Sequence, residues 1–147
     1  MSSAYAELAV TSNFSFLRGG SHPEELAVQA KALGLAAFGL ADRNTVAGVV
    51  RAHSIAKEQE LQFLPGARLV FADGTPDILA FPHCLSGWWN LTRLLTIGKR
   101  RAEKGECELF LADLLAYAPG LSLIVISPTP IGGVVPLSAS ARRRGGW

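Results

Sequence analysis

Apolar positions in this chain follow two patterns. Nearly continuous apolar runs at 5–10, 35–41 and 121–127 are separated by stretches where apolar residues recur every three or four positions. The first pattern is expected of strands covered on both faces, the second of amphipathic helices. A strand over 5–10 leads to Ser21-His22-Pro23-Glu24, a Ser three residues before a Glu, which reads as a capping box. The helix it opens places Leu26, Ala30 and Leu33 on one face, and Gly34 is positioned to end it in a left-handed conformation. The second strand, 35–41, runs into Asp42. Asn44 or Thr45 is placed to cap a second helix with Val46, Val49, Val50 and His53 on one face, fading over 57–60.

A third strand starts at 61–64, is interrupted by Pro65-Gly66 and resumes over 67–71. Asp73-Gly74 signals a hairpin whose returning strand is 77–81. Ser86 is placed to cap a helix through Trp88, Leu91, Leu94 and Leu95, ending near Gly98. The basic run 99–106 reads as an exposed loop, and 109–117 as a short helix stopped by Pro119-Gly120. The apolar residues at 121–127 read as a buried strand. The order β-α-β-α-β-β-α-α-β is that of an α/β domain over 1–127. Periodicity stops after Ser127, so 128–147, rich in proline, glycine and arginine, reads as an irregular tail, for which a change of reading frame is one explanation and a truncated gene another.

Composition narrows the class. With 147 residues, 49% hydrophobic and 18% charged, the chain supports a packed core and is not a disordered segment. A net charge of +2 is too small to imply nucleic acid by itself, but Lys99, Arg100, Arg101 and Lys104 cluster. Cys84 and Cys107 form no spaced motif, which fits a reducing compartment. The N-terminus lacks the basic-then-apolar order of a leader, and no stretch approaches 18 apolar residues. A cytoplasmic chain without membrane contact is expected.

Two strands end in polar residues: the first at 11–15, the second at Asp42-Arg43-Asn44. In α/β barrels the loops after strand carboxyl ends carry the chemistry. These residues also match something specific. Ala9-Val10-Thr11-Ser12-Asn13-Phe14-Ser15, Ala41-Asp42-Arg43 and Gly66-Ala67-Arg68 stand in the frame of three motifs of the polymerase-and-histidinol-phosphatase (PHP) domain, which opens bacterial C-family DNA polymerases. In that family the motifs read His-x-His, Thr-Asp-His and Gly-x-Glu. The segment 87–95, Gly-Trp-Trp-Asn-Leu-Thr-Arg-Leu-Leu, resembles a fourth. VTSNFSFLRG, SHPEEL, DRN, AGVVRAH, GARL and GKRRAEKGEC occur in order, as in the error-prone paralogues of the replicative subunit. The resemblance spans residues 4–127 and implies an incomplete PHP-type distorted β/α barrel, cut before it closes.

The resemblance also implies where metal ligands stood. Ala9, Thr11, Arg43 and Arg68 occupy ligand positions, and only Asp42 keeps its type. Ala9 offers no lone pair, and a guanidinium repels a cation. Asp42 is therefore expected to pair with or cap one of these arginines, against a residual metal site. No metal or catalytic residue is expected in this chain; Mg ions belong to the palm of a parent polymerase. His22, His53 and His83 form no spaced pair and read as structural or solvated. Cys84 beside His83 lacks an acidic orienter. Ser12 and Ser15 are placed to bond backbone groups in their loop, and no Gly-x-Ser-x-Gly elbow surrounds either.

Three functions follow. The first is a structural module of an error-prone polymerase acting in DNA replication and translesion repair. Its partners are then the rest of the polymerase, with DNA and translesion accessory proteins contacting the parent. The alternative is an active metal-dependent PHP phosphoesterase or exonuclease. The third is an inactive gene fragment with an open strand edge, expected to aggregate alone. Lys99, Arg100, Arg101 and Lys104 are weighed as a nucleic-acid or partner contact against a solvated loop. With no aromatic residue alternating with these charges, base stacking is not expected.

Overall fold

A computed structural model describes residues 4–128. The elements are β1 (Ala6–Val10), α1 (Pro23–Ala32), β2 (Ala37–Arg43), α2 (Val49–Glu58), β3 (Gln62–Leu69), β4 (Ile78–Pro82), α3 (Leu85–Arg101), α4 (Leu111–Tyr117) and β5 (Leu121–Val125). They form one five-stranded sheet in the order β1-β2-β3-β4-β5. β1, β2 and β3 run parallel, and β4 and β5 are antiparallel to their neighbours. Among the described residues β1 and β5 each pair on one side only, so the sheet is a half-barrel that does not close. The tail over 128–147 falls, apart from Pro128, outside the described residues.

Strand alternation sends odd and even residues to opposite faces. On the helix-covered face, Phe38 and Leu40 pack with Ala27 and Ala30 of α1 and Ala52 and Ala56 of α2. Further along the same face, Ala67, Leu69, Ile78 and Ala80 meet Leu91, Leu94 and Leu95 of α3 and Leu114 of α4. The alanines on α1 and α2 let those helices approach the sheet closely. The opposite face has a smaller core of Ala41, Leu79 and Phe81. Gly66 is required there, because a Cβ on it would lie 2.5 Å from Phe81 Cδ1 and 2.8 Å from the Ala80 carbonyl oxygen.

Several elements depart from the sequence pattern for identifiable reasons. β3 runs through Pro65-Gly66 without a break. β4 pairs with β3 only at residues 67–69, so Pro65 has one neighbouring strand, and a missing N–H is tolerated at such an edge. The cap of α1 is His22, one residue later than Ser21, and the His22 N–H donates to Glu25 Oε2 at 2.9 Å. Pro23 then takes the first helical position, which its fixed φ suits. Gly34 does adopt φ +71° after α1.

α2 starts at Val49, after Gly48, so neither Asn44 nor Thr45 caps it. Asn44 instead takes φ +49° and ties β2 to β3: its Oδ1 accepts from the Val70 N–H at 2.9 Å, and its N–H donates to the Arg68 carbonyl at 2.9 Å. α3 begins after Cys84, not Ser86, and does not stop at Gly98. A Cβ on Gly98 would lie 2.6 Å from Leu109 Cδ2 and 2.7 Å from Cys107 Sγ, so this glycine permits close packing inside a continuing helix. Lys99, Arg100 and Arg101 therefore form its last turn, where positive charge complements the helix dipole, and the exposed loop is shorter than 99–106. α4 starts at Leu111 because Leu109 is buried and bridges to Phe71. β5 is not buried: as an edge strand it leaves Leu123, Ile124 and Val125 exposed.

Candidate functional site

The carboxyl ends of β1, β2 and β3 bring Thr11, Asp42, Arg43 and Arg68 to one end of the sheet. At its centre is Asp42, 1% exposed. Its carboxylate accepts three hydrogen bonds from the loop after β1. The Ser12 N–H donates to Oδ1 at 2.7 Å, the Ser12 hydroxyl to Oδ2 at 2.6 Å and the Ser15 hydroxyl to Oδ1 at 2.7 Å. Ser12 and Ser15 are themselves buried. The network continues outward, as Ser12 Oγ accepts from the Phe14 N–H at 3.2 Å and Ser15 Oγ from the Arg43 N–H at 2.9 Å. Ser12 thus bonds a backbone group of its own loop as expected, whereas Ser15 bonds one in β2, and together they join β2 to a loop about 30 residues earlier in the chain.

This corrects the expected partner of Asp42. Neither arginine reaches it. Arg68 donates from Nε to Asp77 Oδ2 at 2.8 Å, and the Arg43 side chain has no ion pair or hydrogen bond among the described residues. Arg43 and Arg68 are register partners on adjacent strands, where like charges oppose each other. Asp77, at the start of the returning strand, compensates the inner one. The Ala9 methyl carries no donor atom, and Thr11 Oγ1 is 3.4 Å from the Ala9 carbonyl, to which it donates. Among the described residues no group of three or more His, Cys, Asp or Glu stands close enough together to hold a metal ion.

A cleft of about 1010 Å³ opens beside this network. Arg18, Arg43, Lys99 and Lys104 line it together with Phe14, Phe16 and Glu106. The basic cluster read from the sequence is thereby divided. Lys99 and Lys104 face the cleft, whereas Arg100 lines a separate pocket of about 220 Å³ with Arg93 and Tyr117. Arg101 is engaged elsewhere: it holds Asp113 by two hydrogen bonds of 2.7 and 3.0 Å and lies 4.7 Å over the Phe110 ring. The Arg101 guanidinium holds the Asp113 carboxyl below the usual carboxylate range. Arg18, Phe14 and Phe16 were not singled out with the basic cluster. They lie some 80 residues earlier, in the opening loop, and chain proximity gives no signal for them.

The remaining candidates do not assemble. His22 caps α1 and contacts Asn13 Nδ2 at 3.0 Å, His53 lies against Phe63, and His83 follows β4. The Cys84 thiol is exposed and lowered by its contact with the Ser86 hydroxyl, 3.1 Å away. No hydrogen bond joins it to a His or a carboxylate among the described residues. Burial pushes the Cys107 thiol up, with Lys99 and Arg101 pulling against it. No described helix is long and apolar enough to cross a membrane.

A mixed α/β half-barrel with its polar residues at the strand carboxyl ends defines the class. The PHP domain profile matches residues 7–141, and the chain belongs to that family. The particular relatives are polymerases. Over 129 residues the chain is 60% identical to the error-prone DNA polymerase of Rhodopseudomonas palustris strain BisA53, covering 80% of this chain and 11% of that one. Over 122 residues it is 57% identical to error-prone DNA polymerase 1 of Rhizobium meliloti, covering 83% of this chain and 11% of that one. The chain thus spans about a ninth of the length of these curated relatives. Among solved structures it is similar to a candidate metal-dependent phosphoesterase from Bifidobacterium adolescentis. The TM-score is 0.55 and the identity 25%, covering 66% of this chain and 34% of that one.

Proposed function

We propose that this chain is a PHP module without chemistry of its own, and that its role is to build and brace the N-terminal region of an error-prone DNA polymerase. The observation that carries this reading is the engagement of Asp42. The one ligand-type residue kept at the motif positions has its lone pairs directed to Ser12 and Ser15. A divalent ion does not fit the remaining set. Zinc and its neighbours need thiolates, imidazoles or carboxylates, and the other positions hold Ala9, Thr11, Arg43 and Arg68. Two fixed cations there replace the positive charge an ion would supply. In the parent protein, nucleotide transfer during replication and translesion repair falls to Mg-binding carboxylates of a palm beyond this segment. The partners are then the rest of the polymerase, DNA and accessory proteins, in the cytoplasm.

The likeness to a candidate phosphoesterase favours a second reading, a metal-dependent hydrolase. The two are separated by assaying the chain with Mn, Zn or Mg against a phosphomonoester and a single-stranded oligonucleotide. The structural reading expects no hydrolysis above the metal-only blank. Turnover that depends on added metal and disappears in Asp42→Ala would establish the hydrolase instead.

A further inference from the structure

We infer that the small pocket between α3 and Tyr117 of α4 is a binding site for a phosphate dianion, held by the Arg93 and Arg100 guanidiniums with the Tyr117 hydroxyl as a third donor. The inference concerns this pocket alone and does not rest on the polymerase reading.

Helical spacing builds the site. Arg93, Thr96, Ile97 and Arg100 stand at positions i, i+3, i+4 and i+7 of α3 and so share one face. That face is turned away from Leu91, Leu94 and Leu95, which α3 buries against the sheet. Tyr117, the last residue of α4, completes a pocket of about 220 Å³. Its ring packs against the buried core, which fixes the position of the hydroxyl. The arginines stand at the two ends of the stripe, with Thr96 and Ile97 between them along the helix.

Charge balance shows what the pocket lacks. On the same helix Arg101 is neutralised by Asp113, as Arg51 is by Glu24 and Arg68 by Asp77 elsewhere. Arg93 and Arg100 have no ion pair, side-chain hydrogen bond or ring contact among the described residues. No carboxylate lines their pocket. The Tyr117 hydroxyl likewise has no hydrogen-bond partner among the described residues. Thr96 is committed, its hydroxyl donating to the Thr92 carbonyl at 2.8 Å. The pocket therefore carries two fixed positive charges and a phenolic donor, with no negative group of its own to answer them.

The same balance selects the anion. A guanidinium presents its N–H donors as a planar fork that suits carboxylate and phosphate oxygens alike. A carboxylate brings a single negative charge and leaves one arginine unanswered. A phosphomonoester brings close to two negative charges and three terminal oxygens, enough for both forks and the Tyr117 hydroxyl. A phosphodiester carries one charge and matches the pair no better than a carboxylate. Free phosphate and a phosphorylated side chain share the fitting chemistry.

The test is isothermal titration calorimetry of the full chain at low salt. The ligands are phosphoserine blocked at both ends, inorganic phosphate, sulfate, acetate and dimethyl phosphate. Blocked phosphoserine should bind at one saturable site, about 10-fold or more tighter than acetate or dimethyl phosphate. Arg93→Ala and Arg100→Ala, both at exposed positions, should each weaken it about 10-fold or more. Arg93→Lys should weaken it less, because the charge stays while the fork is lost. Tyr117→Phe keeps the ring and should cost about 3-fold. Lys31→Ala/Lys57→Ala, outside the pocket, should match the parent. No His, Asp, Glu or Cys lines the pocket, so the pH dependence should be the ligand's own. Blocked phosphoserine, with a second pKa of about 6, should bind about 10-fold tighter at about pH 7.5 than at about pH 5, whereas sulfate should bind equally at both. Inorganic phosphate binding as tightly as blocked phosphoserine would assign the site to the free ion, and tighter binding of blocked phosphoserine to a phosphorylated side chain. Absence of saturable binding at low salt would overturn the inference. So would acetate or dimethyl phosphate as effective as blocked phosphoserine. An affinity unchanged in Arg93→Ala and Arg100→Ala, or lost only in Lys99→Ala/Lys104→Ala of the larger cleft, would overturn it as well.

Discussion

Replacing Asp42 by alanine removes the acceptor for three buried donors at once. The three bonds are 2.6 to 2.7 Å long and link the end of β2 to the loop after β1. The consequences differ by donor. The Ser12 and Ser15 hydroxyls can rotate toward other acceptors, but the Ser12 main-chain N–H cannot. A buried donor left without a partner costs about 1–3 kcal/mol, and each lost bond to a carboxylate about 1.5–3 kcal/mol before relaxation. Allowing for the two mobile hydroxyls, Asp42→Ala should destabilise the chain by about 3–5 kcal/mol, which for a chain of this length lowers Tm by about 10–20 °C. Ser15→Ala removes one donor to Asp42 and the acceptor of the Arg43 N–H, and should cost about 1–2 kcal/mol. The double variant should lose less than the sum by about 1 kcal/mol, since the two side chains share a bond. The assay is urea unfolding followed by circular dichroism, repeated with EDTA. EDTA should leave the parent midpoint unchanged. An Asp42→Ala midpoint within about 0.5 kcal/mol of the parent, or a parent destabilised by EDTA, would refute the reasoning.

Three further outcomes are expected. Gly66→Val places a branched side chain where even a Cβ meets Phe81 at 2.5 Å, so it should cost about 1–3 kcal/mol or more in urea unfolding; an unchanged midpoint would show that Phe81 moves aside freely. Arg101 lowers the Asp113 carboxyl, so this pair adds stability above the ordinary aspartate range, lost as pH falls through that range toward the lower folded value. Asp113→Asn should therefore flatten the fall in stability between about pH 5 and pH 3, and an identical pH profile would remove the pair from the account. β5 exposes Leu123, Ile124 and Val125 and pairs on one side only among the described residues, so the isolated chain should self-associate in sedimentation velocity. Val125→Lys should reduce this; a monodisperse parent monomer would count against it.

Much of the fold was legible because burial writes itself into the sequence. The apolar runs that became β1 and β2, and the turn glycines Gly34 and Gly74, follow from local rules. The errors arose where one residue type has two uses. Gly98 resembles a helix stop but serves close packing against Cys107 and Leu109. Pro65 resembles a break but sits where the strand has one neighbour. The residues at 121–127 resemble a buried strand, yet burial depends on what lies alongside, which an apolar run does not encode. At the site, the residue types at Ala9, Thr11, Arg43 and Arg68 were readable one by one. The partner of Asp42 was not, because charge pairing suggested arginine while the fold supplied two serines from a distant loop. That Phe16 lines the same cleft as Lys99 and Lys104 is likewise a product of topology, invisible to any window along the chain.

Elemental analysis of the purified chain tests the central claim most directly. Expressed in medium supplemented with Zn and Mn and then desalted, it should carry well below one ion of either metal per chain. One or more ions per chain, retained through desalting and lost in Asp42→Ala, would contradict the account and restore a working metal site.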